Sequence, residues 1–233
     1  MNARILPEPD RFAVCPLDGP ILPFYDGVFE AAYVLLSPFL RRRSSALVLE
    51  DGMPADAAAQ DRRDAWVPVR WSEVQRLSGL PTLAAVDVAL RTRIGGLKAE
   101  FADKAMARQL SESLEQHRLL APGEGSFPAL TLEPMLSFLQ SLDQQWLWVG
   151  DEFCTERELH WIDDLKPASA KRTLHRENVF TPDKSSLWTV HWDSHFSLFC
   201  STRQNVERLS RHPDLEGFRC EAATEVYWSV RNA

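Results

Sequence analysis

Between Ser186 and Thr202 the chain reads SLWTVHWDSHFSLFCST, and its side chains alternate in character. Trp188, Val190, Trp192, Phe196, Leu198 and Cys200 fall on even positions, and Thr189, His191, Asp193, His195 and Ser197 on odd ones. Successive residues of a strand point to opposite faces, so this period of two demands β-structure with one apolar and one polar side. Read as one strand, residues 188–200 would extend about 43 Å at roughly 3.3 Å per residue. That is long for a strand and predicts a bulge or bend near Asp193–Ser194. A hairpin turning at Asp193–Ser194 would set Trp192 opposite His195 and His191 opposite Phe196. It would mix polar and apolar residues on both faces, and the alternation therefore favours the continuous strand.

On such a strand His191, Asp193 and His195 point the same way, about 6.5–7 Å apart at the backbone. Two imidazoles and a carboxylate suit a zinc, iron or manganese ion with positions left open for water. Equally, the carboxylate can orient one histidine as a general base. A solvated strand face accounts for the same residues, and one short motif without a second ligand cluster favours that plainer reading. No cofactor is therefore expected, with a divalent transition metal at His191, Asp193 and His195 as the alternative. A local Ser–His–Asp triad is excluded, because Ser194 faces away from its would-be partners. Thr155 and Glu158 read as a capping box opening a helix to about Leu165, on which His160 and Asp164, four apart with Glu156 a turn earlier, form a second conceivable ligand set. Helix-stabilising charge pairs explain them more simply. Cys200, Cys220 and His212 follow no ligand spacing.

The rest of the chain organises around that stretch. Residues 1–26 are proline-rich and predict an extended segment, because proline denies the β-ladder its N–H donors. Phe29, Tyr33, Leu36 and Leu40 are spaced as on a helix over Val28–Leu36, and Asp51–Asp64 has almost nothing to bury and predicts a mobile loop. A capping box at Ser72 and Gln75 opens the next helix. Leu83, Val86, Leu90, Ile94, Leu97 and Phe101 then step by three and four along a one-sided stripe, with a bend expected at Gly95–Gly96. Further helices are predicted through Met106–Leu114, over Thr131–Leu142 and near Gln204–Arg211. Trp146–Val149, GFRCE and EVYWSV read as short strands. Six of the eight tryptophans lie beyond residue 145, as in half-buried sheet. The expectation is one α+β domain over residues 1–233. A mainly helical part, 27–145, packs against a mainly antiparallel, sheet-containing part, 146–233, that carries one or two helices.

Charge and cysteine usage narrow the function. The net charge of −7 disfavours non-specific attraction to nucleic acid or an anionic membrane. No apolar run approaches the roughly 18–20 residues needed to span a bilayer, and the N-terminus lacks the pattern of a signal peptide. The four scattered cysteines contain no CxxC and predict reduced thiols in a cytoplasmic protein. Residues 71–95 have the outline of a helix-turn-helix. The eight basic and six acidic residues between Arg70 and Arg118 leave only a feeble +2, and the would-be recognition helix is apolar along its length.

Two segments, WSEVQRLSGLPTLAAVDVALRTRIGGLKAEFA and HWDSHFSLFCSTRQNVERL with the following DLEGFRCEAATEVYW, resemble a bacterial family described only as a domain of unknown function. The resemblance covers most of the chain after about residue 25. It implies a bacterial protein and no activity; Asp193 and the aromatic run after it match the family's pattern, whereas His191 and His195 are not carried over. The order strand, polar turn, helix, strand in HFSLFCSTRQNVERL and GFRCE also resembles small bacterial immunity proteins, which neutralise a toxin by binding it. The expected function is a non-catalytic module that binds another protein, with the immunity type as one candidate form. The alternatives are a metal-dependent, hydrolase-like enzyme using His191, Asp193 and His195, and a helix-turn-helix DNA-binding regulator.

Overall fold

The computed structural model describes residues 10–43, 65–166 and 174–230. The expected Asp51–Asp64 loop lies outside them. In chain order the elements are α1 (Ile21–Phe24), β1 (Ala31–Leu36), β2 (Phe39–Arg42), β3 (Trp66–Val69), α2 (Trp71–Ser78), α3 (Leu83–Ile94) and α4 (Lys104–Gln116). There follow β4 (Leu119–Leu120), α5 (Ala129–Gln140), β5 (Trp146–Gly150), β6 (Arg157–Trp161), α6 (Ile162–Leu165), β7 (Asn178–Phe180), β8 (Leu187–Val190), β9 (Phe196–Ser201), α7 (Arg203–Ser210) and β10 (Gly217–Arg219). Seven strands form one sheet in the order β10-β1-β9-β8-β7-β5-β6, with every pairing antiparallel. A small second sheet has the order β3-β2-β4.

The large sheet is covered on both faces. On one side Ala32, Val34 and Leu36 of β1 and Phe196, Leu198 and Cys200 of β9 share a core with Trp71, Val74, Leu90 and Leu110 of the α2–α4 layer. On the other, Tyr33, Leu35, Trp188 and Phe199 pack with Met135 and Leu139 of α5 and with Val206 and Leu209 of α7. This arrangement corrects the expected division into a helical half and a sheet half. The chain is α+β, but its strands begin at Ala31 and its helices are short and spread along the sequence. Val28–Leu36, expected as a helix, contains β1, which pairs with β10 on one side and β9 on the other. A strand buried on both faces is a continuous apolar run, and such a run satisfies helical spacing by accident. Thr155–Leu165, also expected as a helix, is β6 followed by the single turn α6, with Thr155 donating its hydroxyl to Asp151. EVYWSV is a series of turns joined to the N-terminal segment by one bridge, Pro20 to Glu225. That segment is not wholly extended, since α1 lies within it.

Other elements match the reading. Trp146–Val149 falls in β5, Thr131–Leu142 in α5 and its C-terminal end, Gln204–Arg211 in α7 and its cap, and GFRCE contains β10. The α3 helix is capped by the Thr82 side chain, which accepts from the Ala85 N–H at 3.0 Å, and stops at Gly95 in the left-handed conformation (φ 74°). The expected stripe consequently ends there, and Ile94 and Phe101 are exposed. The capping box at Ser72 does not form. The carboxylate of Glu216, just before β10, accepts the backbone N–H groups of Trp71 and Ser72 and the Ser72 hydroxyl.

Candidate functional site

SLWTVHWDSHFSLFCST is a hairpin. Trp188 pairs with Phe199, Thr189 with Leu198 and Val190 with Ser197, and residues 191–195 form the connecting loop. This corrects the continuous strand. The alternation signalled one solvated face, yet neither face meets solvent, and His191, Asp193 and His195 are 1%, 4% and 2% exposed. Their polarity is met from within. Nε2 of His191 donates to the Leu17 carbonyl (3.0 Å), because its Nδ1 accepts the Asp193 N–H (3.2 Å). Nδ1 of His195 donates to the Gly123 carbonyl at 3.4 Å. Burial holds both imidazoles below the usual histidine range. The two rings thus turn to carbonyls from different segments, and among the described residues no three His, Cys, Asp or Glu side chains group so as to hold a metal ion.

The partners of this loop come from α3. Asp87 and Arg91, four apart and both fully buried, pair through Arg91 Nε and Asp87 Oδ2 at 2.8 Å. Arg91 Nη1 donates to the Asp193 carbonyl and lies 3.6 Å from Asp193 Oδ2. The guanidinium sits over the rings of Tyr227, 4.9 Å from its centroid, and Phe196, at 5.9 Å. Ser229 donates to Asp87 Oδ2 (2.6 Å), and the Tyr227 hydroxyl to Asp193 Oδ2 (3.4 Å). Gly125, with φ at +59°, brings its loop against the same hairpin: its N–H donates to the Ser194 carbonyl, and a Cβ there would meet the Trp192 carbonyl oxygen at 2.5 Å. Three layers of the fold therefore meet at one buried charged knot. Asp87, Arg91, Tyr227 and Ser229 were not among the sequence candidates. The available signal was a charged pair at i, i+4 inside the otherwise apolar LAAVDVALRTRI.

Other expected groupings separate. His160 lies on β6, Asp164 in α6 and Glu156 before β6, so no common helix face exists. The helix that a helix-turn-helix would lay in a DNA groove is buried from Ala84 through Arg91. Cys200 is in the core, whereas His212 accepts the Asp214 N–H through Nδ1. Burial raises the thiols of Cys15 and Cys220 to about 12 and raises Cys200 and Cys154 as well, so all four are held protonated.

A different surface is uncovered. β6 ends the large sheet, and no strand pairs with its outer edge among the described residues. Trp146, Leu159 and Trp161 are 43%, 45% and 36% exposed, and the two tryptophans meet edge to face at 5.0 Å. Register places Trp146 opposite Trp161 and Trp148 opposite Leu159, so these four side chains share a face. Beside them an open groove of about 410 Å³ is lined by Asp151, Glu152, Glu156, Glu158 and Glu177, with Arg157, Arg176 and His175. A smaller apolar cavity of about 280 Å³ lies between the second sheet and the start of α5, lined by Leu40, Trp66, Leu120, Phe127, Leu130 and His175 among others. No helix among the described residues is long and apolar enough to cross a membrane.

A chain from Bacillus subtilis (strain 168), the uncharacterized protein YwbB, is 22% identical over 215 residues, covering 91% of this chain and 95% of that protein. No solved structure matches. The family model described as protein of unknown function (DUF2711) matches residues 18–230, a span that contains both the buried knot and the open sheet edge. The chain belongs to the DUF2711 family.

Proposed function

We propose that the chain is a non-catalytic protein-binding module that accepts an extended, basic segment of its partner along β6. The carrying observation is the pair of surface tryptophans on an open sheet edge. Large exposed aromatic groups are costly to leave in water, and they serve as anchors when a partner covers them. An edge strand offers a partner's backbone a row of donors and acceptors. Charge supplies the chemistry of the occupant: residues 143–166 contain seven acidic and two basic side chains, which leaves −5 of the chain's −7. A basic segment lowers that repulsion on docking and is steered toward it. The charged Arg157 and Glu158 within β6 also guard the edge against pairing with a second copy. A toxin of the kind that immunity proteins neutralise is one partner with these properties.

Selection of displayed random peptides on the intact protein tests this, with the Trp146→Ser/Trp161→Ser double variant as the counter-target. The expected winners carry Lys or Arg alternating with apolar residues, bind more weakly as salt rises, and lose at least tenfold in affinity on the variant. Peptides that bind both proteins equally, or no enrichment at all, would overturn the proposal.

A further inference from the structure

The apolar cavity beside the second sheet and the acidic groove at the end of β6 have one residue in common. His175 lines both, so the two spaces are separated by no more than the width of a single residue. An antiparallel bridge to Ser126 fixes the His175 backbone beside the loop that leads into α5. The groove in turn is bounded by Arg157 and Glu158 of β6 itself. Shared lining residues therefore connect the open strand to the groove, and the groove to the cavity. The two spaces differ in chemistry. Five carboxylates stand against two guanidiniums around the groove, and one of the two, Arg157, lies over the rings of Trp148 and Phe180 at 5.7 and 5.9 Å. No carboxylate, ammonium or guanidinium lines the cavity. Leu40 of β2, Trp66 of β3, Leu120 of β4 and Leu130 of α5 form its walls with Phe127, and of its lining residues only Trp66, Ser126 and His175 carry a polar side-chain atom. Leu120 is 41% exposed, an apolar wall left facing water.

From this arrangement we infer that the cavity receives one apolar side chain of the same basic segment that docks on β6, an anchor such as Leu, Met or Phe carried outside the strand-pairing stretch. This role rests on the docking proposed for β6. It supplies the specificity that backbone pairing lacks, since main-chain hydrogen bonds are alike for every sequence and pockets for side chains tell partners apart. Charge selects the segment: a chain crossing the groove meets excess carboxylate and is favoured when basic, whereas a second copy of this protein, at −7, is disfavoured. The walls select the anchor, because a charged side chain would lose its hydration to groups that cannot replace it. Size agrees, since about 280 Å³ falls just below the roughly 300–1,000 Å³ of pockets that enclose whole small molecules. Sheet geometry sets the spacing. Arg157 of β6 pairs with Gly150 of β5, and Gly150 with Asn178 of β7, three residues after His175. With strands about 4.8 Å apart, a segment added outside β6 lies about 14 Å from β7, a distance spanned by about four to six extended residues.

The test takes the displayed random peptides selected on the intact protein and adds an Ala129→Phe variant, which fills the cavity from the first residue of α5. The expected winners carry one recurrent apolar residue at that spacing from the basic stretch. Changing it to alanine should cost at least tenfold in affinity on the native protein and little on Ala129→Phe, because the variant has already closed the cavity. The salt dependence that the basic residues confer should be the same on both proteins. A benzophenone amino acid placed at the anchor position, photolysed on the unmodified chain, should crosslink to cavity residues such as Leu120 or Leu130 when mapped by mass spectrometry. That measurement needs no variant and decides the matter even where Ala129→Phe fails to fold. Winners that depend on Trp146 and Trp161 yet carry no recurrent apolar residue, or crosslink elsewhere, would overturn the anchor and leave the docking on β6 standing. Winners indifferent to the tryptophans and to Ala129→Phe alike, or no enrichment, would overturn both.

Discussion

At the scale of single residues, Asp87 and Arg91 form an ion pair whose side chains are both fully buried. Removing one member of a buried ion pair leaves the other charged and unsolvated, which costs about 3–5 kcal/mol. Asp87→Ala is therefore expected to lower the urea midpoint sharply at unchanged slope, while Arg93→Ala, on the exposed side of the same helix, changes stability by less than about 0.5 kcal/mol. Comparable effects from the two variants would contradict the buried knot. The histidines make stability depend on pH. His191 and His195 are held below their unfolded value of about 6.5 by burial. Between the folded and unfolded values the unfolded chain binds more protons, so stability is full above about pH 6.5 and is lost as the pH falls through that window. Denaturant midpoints measured from pH 7.5 to 5 should fall in the native chain, and the fall should flatten in a His191→Gln/His195→Gln variant.

Elements here are completed by residues remote in sequence. The first turn of α2 is capped by Glu216, which lies 144 residues beyond Ser72. The carboxylate both accepts the free N–H groups and complements the positive end of the helix. Glu216→Ala is expected to cost about 0.5–2 kcal/mol, readable in the denaturant midpoint, whereas Ser72→Ala, which removes one of the three donors, costs less. An equal loss from both would show that the cap is the hydroxyl and not the carboxylate. The same dependence explains β1. Nothing local separates AAYVLL from a helical run, and its pairing with β9 and β10 decides the matter.

Across the whole molecule, covering the large sheet on both faces buries every residue of β8 and β9 and leaves the β6 end open. The thiols report that closure. With Cys15, Cys200 and Cys220 packed in or against the core beneath the α2–α4 layer and held protonated, a thiol reagent at pH 8 should leave these three unmodified in the native protein. All four cysteines should react after unfolding in guanidinium. Fast native labelling of Cys200 would mean that the layer opens readily.

The sequence alone determined the period-two pattern of residues 186–202, the helical periodicity from Leu83 to Ile94, the placing of α7, the short strand at Trp146–Val149 and membership of a family without assigned activity. These are local properties: spacing, capping chemistry and turn residues act over a few positions. It also singled out the loop at Asp193 as polar. Tertiary structure decided that the pattern is a hairpin, because its polar groups, the His191 and His195 side chains and the Asp193 carbonyl, are matched by Leu17, Gly123 and Arg91, which lie 174, 72 and 102 residues from their hydrogen-bond partners. Periodicity reports whether a face is apolar. It carries no information on whether a polar face meets water or a buried partner, and only the long-range packing of three layers on one hairpin settles that.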